Sequence, residues 1–291
     1  MTLIANQLEE RATVPSMTAP TSLQPQDVSV VIPVKNNQEG IERFIKELLR
    51  SHSQESLPAE LIIVDNDSRT PISIPDAFKE MGMRIRVLWC HKPGPAAARN
   101  MGWLASEGDW VLFTDSDCVP TESMITGYIS ALNGSLAYAG NVRALRSDFL
   151  SNYYETQEIL LPQRAWLEDE TECPYLVTAN ALIWREALNA VGGFNEEYQL
   201  AAGEDVDLGL RMRELGRLSF AVESVVYHDF EPSISDFIRR FVRYGRGNRL
   251  VQRIHGLDLL PQPFRPNVDS LRHRIAARAQ FCSMLWGYFV A

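Results

Sequence analysis

A chain of 291 residues, 45% hydrophobic and 22% charged, has the balance of an ordinary globular protein and enough length for one large or two modest domains. Its formal net charge of -9 argues against a nucleic-acid binder, whose affinity comes mainly from Lys and Arg neutralising phosphates, so any anionic ligand must meet a locally basic site. The four cysteines, Cys90, Cys118, Cys173 and Cys282, lie far apart without a C-x-x-C pair, which points away from a zinc knuckle or disulfide framework and fits a reducing cytoplasm.

Residues 1–26 mix Thr, Ser, Gln and Pro without apolar periodicity and read as a mobile leader; they lack the basic region and apolar run of a secretory signal. Val28-Ser29-Val30-Val31-Ile32-Pro33 is a β-branched run stopped by proline, as in a strand buried on both faces. Gly40 to Arg50 sets Ile41, Phe44, Ile45, Leu48 and Leu49 on one face of a helix. Leu61-Ile62-Ile63-Val64 and Ile85 to Trp89 read as further strands with a helical stretch between them. A helix over Ala96 to Ser106 then leads into the strand Trp110-Val111-Leu112-Phe113. This β-α-β-α-β alternation predicts right-handed crossovers and an α/β fold, a three-layer α/β/α sandwich with a mainly parallel central sheet whose ligands bind beyond the carboxyl ends of the strands.

The second half is less regular. Tyr138 to Val142 reads as a strand, Asp148 to Leu161 as a helix, and Leu176 to Trp184 as a strand followed by a helix from Arg185. Gly192-Gly193-Phe194 makes a turn, Glu204 to Leu215 a helix whose acids sit at the N-terminus where the dipole favours them, and Leu218 to Tyr227 a strand. The expected organisation is a leader (1–26), one catalytic unit (27–255) with a nucleotide-binding half (27–120) and an acceptor half (121–255), and a C-terminal helical extension (256–291). Phe281 to Ala291 is partly apolar and reads as an interface helix; no segment reaches the roughly 18 consecutive apolar residues needed to span a bilayer, so a soluble or at most peripheral protein is expected.

Two carboxylates at i and i+2 beyond a buried strand, Asp115 and Asp117, can turn toward one cation and its phosphates, and such hard oxygen ligands select magnesium or manganese. Alone, Asp115-Ser116-Asp117 is an ordinary Asp-rich turn. Asp65, Asn66 and Asp67 occupy the equivalent place after the second strand, and two acidic strand ends on one sheet edge favour a nucleotide crevice with a metal for its phosphates. Neither G-x-G-x-x-G nor G-x-x-x-x-G-K-[ST] is present, so the familiar dinucleotide and P-loop cradles are absent.

At these residues the chain resembles the family 2 inverting glycosyltransferases, of the nucleotide-diphospho-sugar transferase (GT-A) fold. Val28 to Asn36 looks like that family's opening strand, which implies that Pro33, Val34, Lys35 and Asn36 line the nucleobase. Ile63-Val64-Asp65-Asn66-Asp67-Ser68 resembles its V-D-D-G-S segment, with Asp65 or Asn66 at the base. Gly94 to Gly102 is similar to G-x-x-x-A-R-N-x-G, which brings Arg99 near the donor; a helix-face salt bridge is the plain alternative for Arg99. The resemblance assigns Asp117 to the metal and Asp115 to the ribose, with Ser116 between them. Thr178-Ala179-Asn180-Ala181 and Val191 to Glu196 look like the acceptor-side segment ending in G-G-F-D-E, with Asn195 replacing the usual Asp. Gly203-Glu204-Asp205-Val206-Asp207-Leu208 with Arg211 matches E-D-x-D-L-x-x-R, which implies Asp205 as catalytic base, with Glu204 beside it and Asp207 orienting the acceptor or the helix.

His228 ends the strand Ser224-Val225-Val226-Tyr227; the resemblance implies that it approaches the metal or the diphosphate, whereas a lone histidine is more often structural. His52, His91, His255 and His273 have no comparable setting. Arg239, Arg240, Arg243, Arg246, Arg249 and Arg253 crowd an amphipathic stretch with no acid between Asp236 and Asp258. That stretch reads as a solvated face, a contact for the donor diphosphate, or a dock for anionic lipid at the inner membrane face. Gly245-Arg246-Gly247 resembles a Y-G-R-G element of part of the family and puts Arg246 with Asn180 among acceptor or diphosphate contacts. The Q-x-x-R-W motif of processive synthases is missing, although Arg164 and Trp166 sit loosely nearby, so one sugar per encounter is expected. The resulting expectation is a cytoplasmic, metal-dependent transferase using Mn2+ or Mg2+, with a nucleotide-diphospho-sugar, UDP-linked by preference, as donor, a glycan or lipid-linked acceptor and no nucleic acid. The rivals are a nucleotidyltransferase of related fold, which usually opens with a Gly-rich loop where Pro33-Val34-Lys35-Asn36-Asn37 stands, and a non-catalytic nucleotide-sugar-binding module.

Overall fold

The computed structural model describes residues 16–79, 83–162 and 171–290. Strands β1 (Val28–Val34), β2 (Glu60–Asp65), β3 (Arg84–Trp89) and β4 (Trp110–Thr114) pair in parallel, β1 lying between β2 and β4, with β3 outside β2. β2 and β4 are buried throughout and β1 nearly so, which is why their apolar runs are continuous rather than alternating. β3 is the edge strand and leaves Val87 and Trp89 exposed. Helix α1 (Gln38–Ser51) buries Ile41, Phe44, Ile45 and Leu48, and α2 (Asp76–Lys79) is a single turn. Helix α3 (Pro95–Ala105) starts with proline at its first turn, where the missing N–H costs nothing, after Gly94 at φ 110°.

The remaining elements are β5 (Cys118–Pro120), α4 (Ser123–Ala131), β6 (Ala137–Ala144), α5 (Phe149–Thr156), β7 (Asn180–Trp184), α6 (Arg185–Val191), α7 (Glu204–Arg213), β8 (Leu218–His228), α8 (Ile234–His255) and α9 (Leu271–Phe289). Among the described residues the sheet runs β3-β2-β1-β4-β7-β6-β8-β5. β7 is antiparallel to both β4 and β6, β5 is antiparallel to β8, and β6 and β8 are parallel. The expected mainly parallel sheet is thus parallel from β3 through β4 and mixed beyond it. Because β7 enters antiparallel, its first residue, Asn180, pairs with Thr114 at the carboxyl end of β4.

Several expectations are corrected. The leader ends well before position 26: Ala19 and Leu23 are buried in the main core, Ser16 and Met17 N–H donate to Leu215 O at 2.8 and 2.9 Å, and Ala19 N–H donates to Gly134 O at 3.0 Å. Residues 1–15, and Arg164 and Trp166, lie outside the described residues. Helix α5 stops at Thr156, just before Glu158 takes φ 52°. Residues 176–179 are buried without strand pairing, so β7 is only half as long as expected. β5 and α4 were not anticipated. In the C-terminal extension only Leu271–Phe289 is helical, and residues 257–270 cross the surface with Leu257 and Leu259 tucked in. Helices α8 and α9 cross at Gly245 and Gly287, where each glycine meets the other helix's backbone and leaves no room for a side chain.

Leu23→Ala should lower the unfolding free energy by roughly 2–4 kcal/mol, the usual cost of a buried leucine truncation. Urea melts measure this, and an unchanged midpoint would show that residues 16–26 contribute nothing to the core.

Candidate active site

The carboxyl ends of β1, β2 and β4 meet on one rim. Lys35 and Asn36 are exposed where β1 ends, and Asn36 sits at φ 57°, accepting Arg69 N–H (2.8 Å) on its side chain. Its backbone N–H donates to Ser68 Oγ (2.8 Å), which ties the β1 loop to the β2 loop. Asp65 accepts the N–H groups of Ser68 (2.9 Å) and Ile72 (3.0 Å) on separate oxygens. Asn66 donates to Cys90 O (3.0 Å) and Lys92 O (2.7 Å) and accepts Gly94 N–H (3.0 Å). Both side chains, expected at a base, therefore spend their bonds shaping the rim.

Asn37, which sequence reading passed over, does two jobs. Its carbonyl oxygen caps α1 by accepting Gly40 N–H (3.1 Å), and its amide donates to Ser116 O (3.0 Å) and Ser116 Oγ (3.2 Å). An asparagine just before an apolar-periodic stretch is an N-cap signal that was available in the sequence. Gly40 makes the arrangement feasible, because a Cβ there would run into Ser116 O and the Asn37 side chain.

Arg99 of α3 is the hub. Its guanidinium pairs through Nη2 with Asp115 Oδ1 at 2.9 Å and through Nη1 with Glu204 Oε1 at 2.8 Å, with only 4% of its side chain exposed. The ion pairs are not those of an exposed helix face: Arg99 is a buried link between the β4 end and the start of α7. Gly203, at φ 91°, turns the chain into α7. Glu204 is buried and its Oε2 has no partner, whereas Asp205 is half-exposed, accepting Val206 N–H at 2.8 Å and Thr178 N–H at 3.4 Å. Burial pushes the Glu204 carboxyl up to about 7 against the pull of Arg99, and burial raises Asp205 above the usual carboxylate range.

Across the rim, β5 pairs with the end of β8 so that Cys118 faces His228. His228 Nε2 lies 3.4 Å from Asp117 Oδ1, its ring stacks on Phe230 at 4.3 Å, and its Nδ1 is buried without a partner. Burial lowers the His228 pKa, which keeps the imidazole neutral at pH 7, and burial raises that of Asp117. Donor atoms of Asp117, His228 and Cys118 lie within 4.8 Å of one another. A neutral imidazole and a carboxylate held in want of a counter-charge suit a divalent cation. Cys118 is buried, its thiol pushed well above the ordinary range and directed at Ala179 O (3.6 Å).

One expected acceptor contact is contradicted. Asn180 is fully buried: its amide donates to Asn141 O (3.2 Å) and Ser224 O (3.1 Å), and its carbonyl accepts Tyr128 O–H (2.8 Å). It fills the space that Gly140 leaves at a register shift in β6, pinning β7 to β6 and β8. Asp207 is likewise buried, pairing with Arg211 (2.7 Å) and with His255 Nε2 (2.8 Å), so of its two expected roles, orienting the acceptor or the helix, it takes the second and fastens α7 to α8. His255, set aside on sequence grounds, is thus structural. Arg246 is exposed on α8 without an ion pair among the described residues. Of the other arginines of α8, Arg239, Arg249 and Arg253 are exposed with it, as a solvated face requires, Arg243 is half-buried, and Arg240 departs from that face. Arg240 is buried, paired with Glu231 at 2.6 Å and set over the rings of Tyr154 and Phe230; Arg239 pairs with Asp236, and Arg249 reaches Tyr288.

Residues 29–192, more than half of the chain, match the family described as Glycosyl transferase family 2. The chain belongs to that family. It is 32% identical over 251 residues to the Pre-mycofactocin glycosyltransferase of Mycobacterium tuberculosis, covering 80% of this chain and 49% of that protein, so it spans about half the length of this curated relative. Its backbone superposes on the mannosyltransferase PcManGT from Pyrobaculum calidifontis, in complex with GDP-Man and Mn2+, with a TM-score of 0.58 at 16% identity over 99% of this chain and 80% of that one. It also superposes on glucosyl-3-phosphoglycerate synthase from Mycobacterium tuberculosis, bound to Mn2+, UDP and glucosyl-3-phosphoglycerate, with a TM-score of 0.54 at 18% identity over 79% and 80%. The family 2 fold is thus shared, with the mixed sheet of the GT-A type.

A carboxyl whose folded pKa is raised contributes stability that is complete below its unfolded pKa and is lost as pH rises through the folded one. Glu204, at about 7 against an ordinary 4.5, should therefore withdraw on the order of 2–3 kcal/mol between those values, and Glu204→Gln should not. Denaturant melts across this pH range test the point; parallel curves for the two proteins would refute it.

Proposed function

We propose that this chain transfers a single sugar, with inversion, from a nucleotide-diphosphate donor to an acceptor hydroxyl, in a reaction that depends on Mn2+ or Mg2+. UDP is the proposed carrier, and polysaccharide, glycolipid or cell-envelope glycan synthesis the proposed setting. The observation that carries the reading is the buried Arg99 bridge, which joins the metal-side loop at Asp115 to the helix start that bears Asp205. The Mn2+ and nucleotide in the structural neighbours support it.

In this reading Lys35 and Asn36 meet the nucleotide on the rim formed with Asp65 and Asn66, and Asp115 approaches the ribose. Asp117 and His228, joined by Asp115, hold the cation, which when bound supplies Lewis-acid stabilisation of the departing diphosphate. Asp205 accepts the proton as the acceptor oxygen bonds to the anomeric carbon and the carbon–diphosphate bond breaks. A carboxylate lifted above its usual range is a stronger base, and half-exposure leaves Asp205 open to the acceptor. Glu204, buried against Arg99, positions it.

Residues 232–291 carry ten arginines against three aspartates, so this tail is at +7 while the rest of the chain is at -16. Among the described residues no helix is long and apolar enough to cross a membrane. The proposed setting is the cytoplasm, with the basic tail supporting peripheral contact at the inner membrane through anionic lipid.

Thermal shift with UDP-sugars should show stabilisation that requires Mn2+ and vanishes in chelator. Asp205→Asn should keep that shift while slowing release of UDP by about 10²-fold or more; turnover at the native rate would make another residue the base. Sedimentation with anionic vesicles should occur at low salt and fall as salt rises. Failure to sediment at low salt would remove the membrane part of the reading.

A further inference from the structure

An imidazole that ligates a metal is usually aimed by a hydrogen bond at its other ring nitrogen. His228 has none among the described residues: Nδ1 is buried without a partner, while Nε2 lies 3.4 Å from Asp117 Oδ1. What holds this ring is its face. Phe230, two residues on, stacks against it with centroids 4.3 Å apart and planes 22° apart. Tyr154 of α5 stacks on Phe230 in turn, at 4.5 Å and 16°. Phe241 of α8 lies beside Tyr154 at 6.0 Å and 23°. A ladder of four near-parallel rings thus runs from the metal side into the core that Phe237, Ala276 and Met284 complete between α8 and α9.

Further ties fix the segment that carries the first two rings. The buried Arg240 sets its guanidinium 5.3 Å from the Tyr154 centroid and 5.5 Å from that of Phe230, and it pairs with Glu231, the residue after Phe230, at 2.6 Å. On the other side, Asp229 N–H donates to Asp117 O at 2.9 Å. With the backbone held at both ends, the freedom left to the Phe230 ring, and through it to the imidazole, is set by the aromatic face of Tyr154. We infer that Tyr154 is a positioning residue for the cation: acting through Phe230, it fixes the plane of the His228 ring, as a hydrogen bond to Nδ1 does in other metal sites. The aromatic face matters and the phenol oxygen does not, because Tyr154 Oη is buried without a partner among the described residues. This inference rests on the Asp117 and His228 cation site proposed above.

Titration of the whole chain with Mn2+ alone, read from the electron paramagnetic resonance signal of the free ion, tests the assignment. Tyr154→Leu, which keeps an apolar side chain but removes the ring, should weaken Mn2+ binding by about tenfold or more, the usual cost of losing a group that orients a metal ligand. Tyr154→Phe, which keeps the ring, should bind as the native chain does. Phe149→Leu, on the same helix and against the same core but off the ladder, should also leave the affinity unchanged. Thermal melts establish that each variant is folded; should Tyr154→Leu not fold, Phe230→Leu takes its place with the same expectation. Native affinity in a folded leucine variant of the ladder, or equal weakening in Phe149→Leu or Tyr154→Phe, would overturn the inference and leave the cation site standing. A native chain that binds no Mn2+ would remove the site itself, and the inference with it.

Discussion

A guanidinium almost removed from water needs partners on both sides, because an unpaired buried charge costs several kcal/mol. Arg99 finds them in Asp115, at the end of β4, and Glu204, at the start of α7. These residues are far apart in the chain and belong to different halves of the molecule. The requirement to neutralise one cation therefore closes the rim: the strand end that carries the paired aspartates cannot drift from the helix that carries Asp205 without exposing or orphaning Arg99. The phenyl ring of Phe194, 5.8 Å from the guanidinium, completes its enclosure.

On either side of this bridge the groups are left electrostatically incomplete. Asp117 and Glu204 are held above their ordinary pKa by burial, and His228 is held below its own. A folded protein with no ligand to receive would gain by relaxing such groups toward solvent or toward each other. A divalent cation beside Asp117 and His228 would relieve the burial of that carboxyl and suit the neutral imidazole.

The parallel half of the sheet was largely legible because β1, β2 and β4 are buried on both faces, and a short, continuous β-branched run such as Leu61 to Val64, bounded by polar residues, is the pattern that such interior strands require. The acidic strand ends were legible for the same reason, since polar residues that interrupt such runs mark the edge. Residues 16–26 were not, because two buried side chains, Ala19 and Leu23, make no periodic pattern. β5 is only three residues long, too short to show alternation, and it exists because β8 lies beside it. Motif position misled at Asn180: it stands in a recognisable segment, yet its side chain points into the protein, where tertiary partners such as Tyr128 decide its role, and at Asp207 it was His255 that decided between acceptor and helix. Asn37 lay in plain view as a helix cap, but its second bond to Ser116 depends on a contact across 79 positions that no local pattern encodes.

Asn180 and Gly140 have a further implication for how this chain can change. The amide occupies the volume that any side chain at 140 would need, and it also supplies the donors that satisfy Asn141 O and Ser224 O across the bulge. A larger residue at 140 would evict the amide, and a smaller one at 180 would strand two carbonyls in the interior. The two sites are therefore accessible to drift only as a joint replacement, which makes the middle of the sheet a historical lock on the fold.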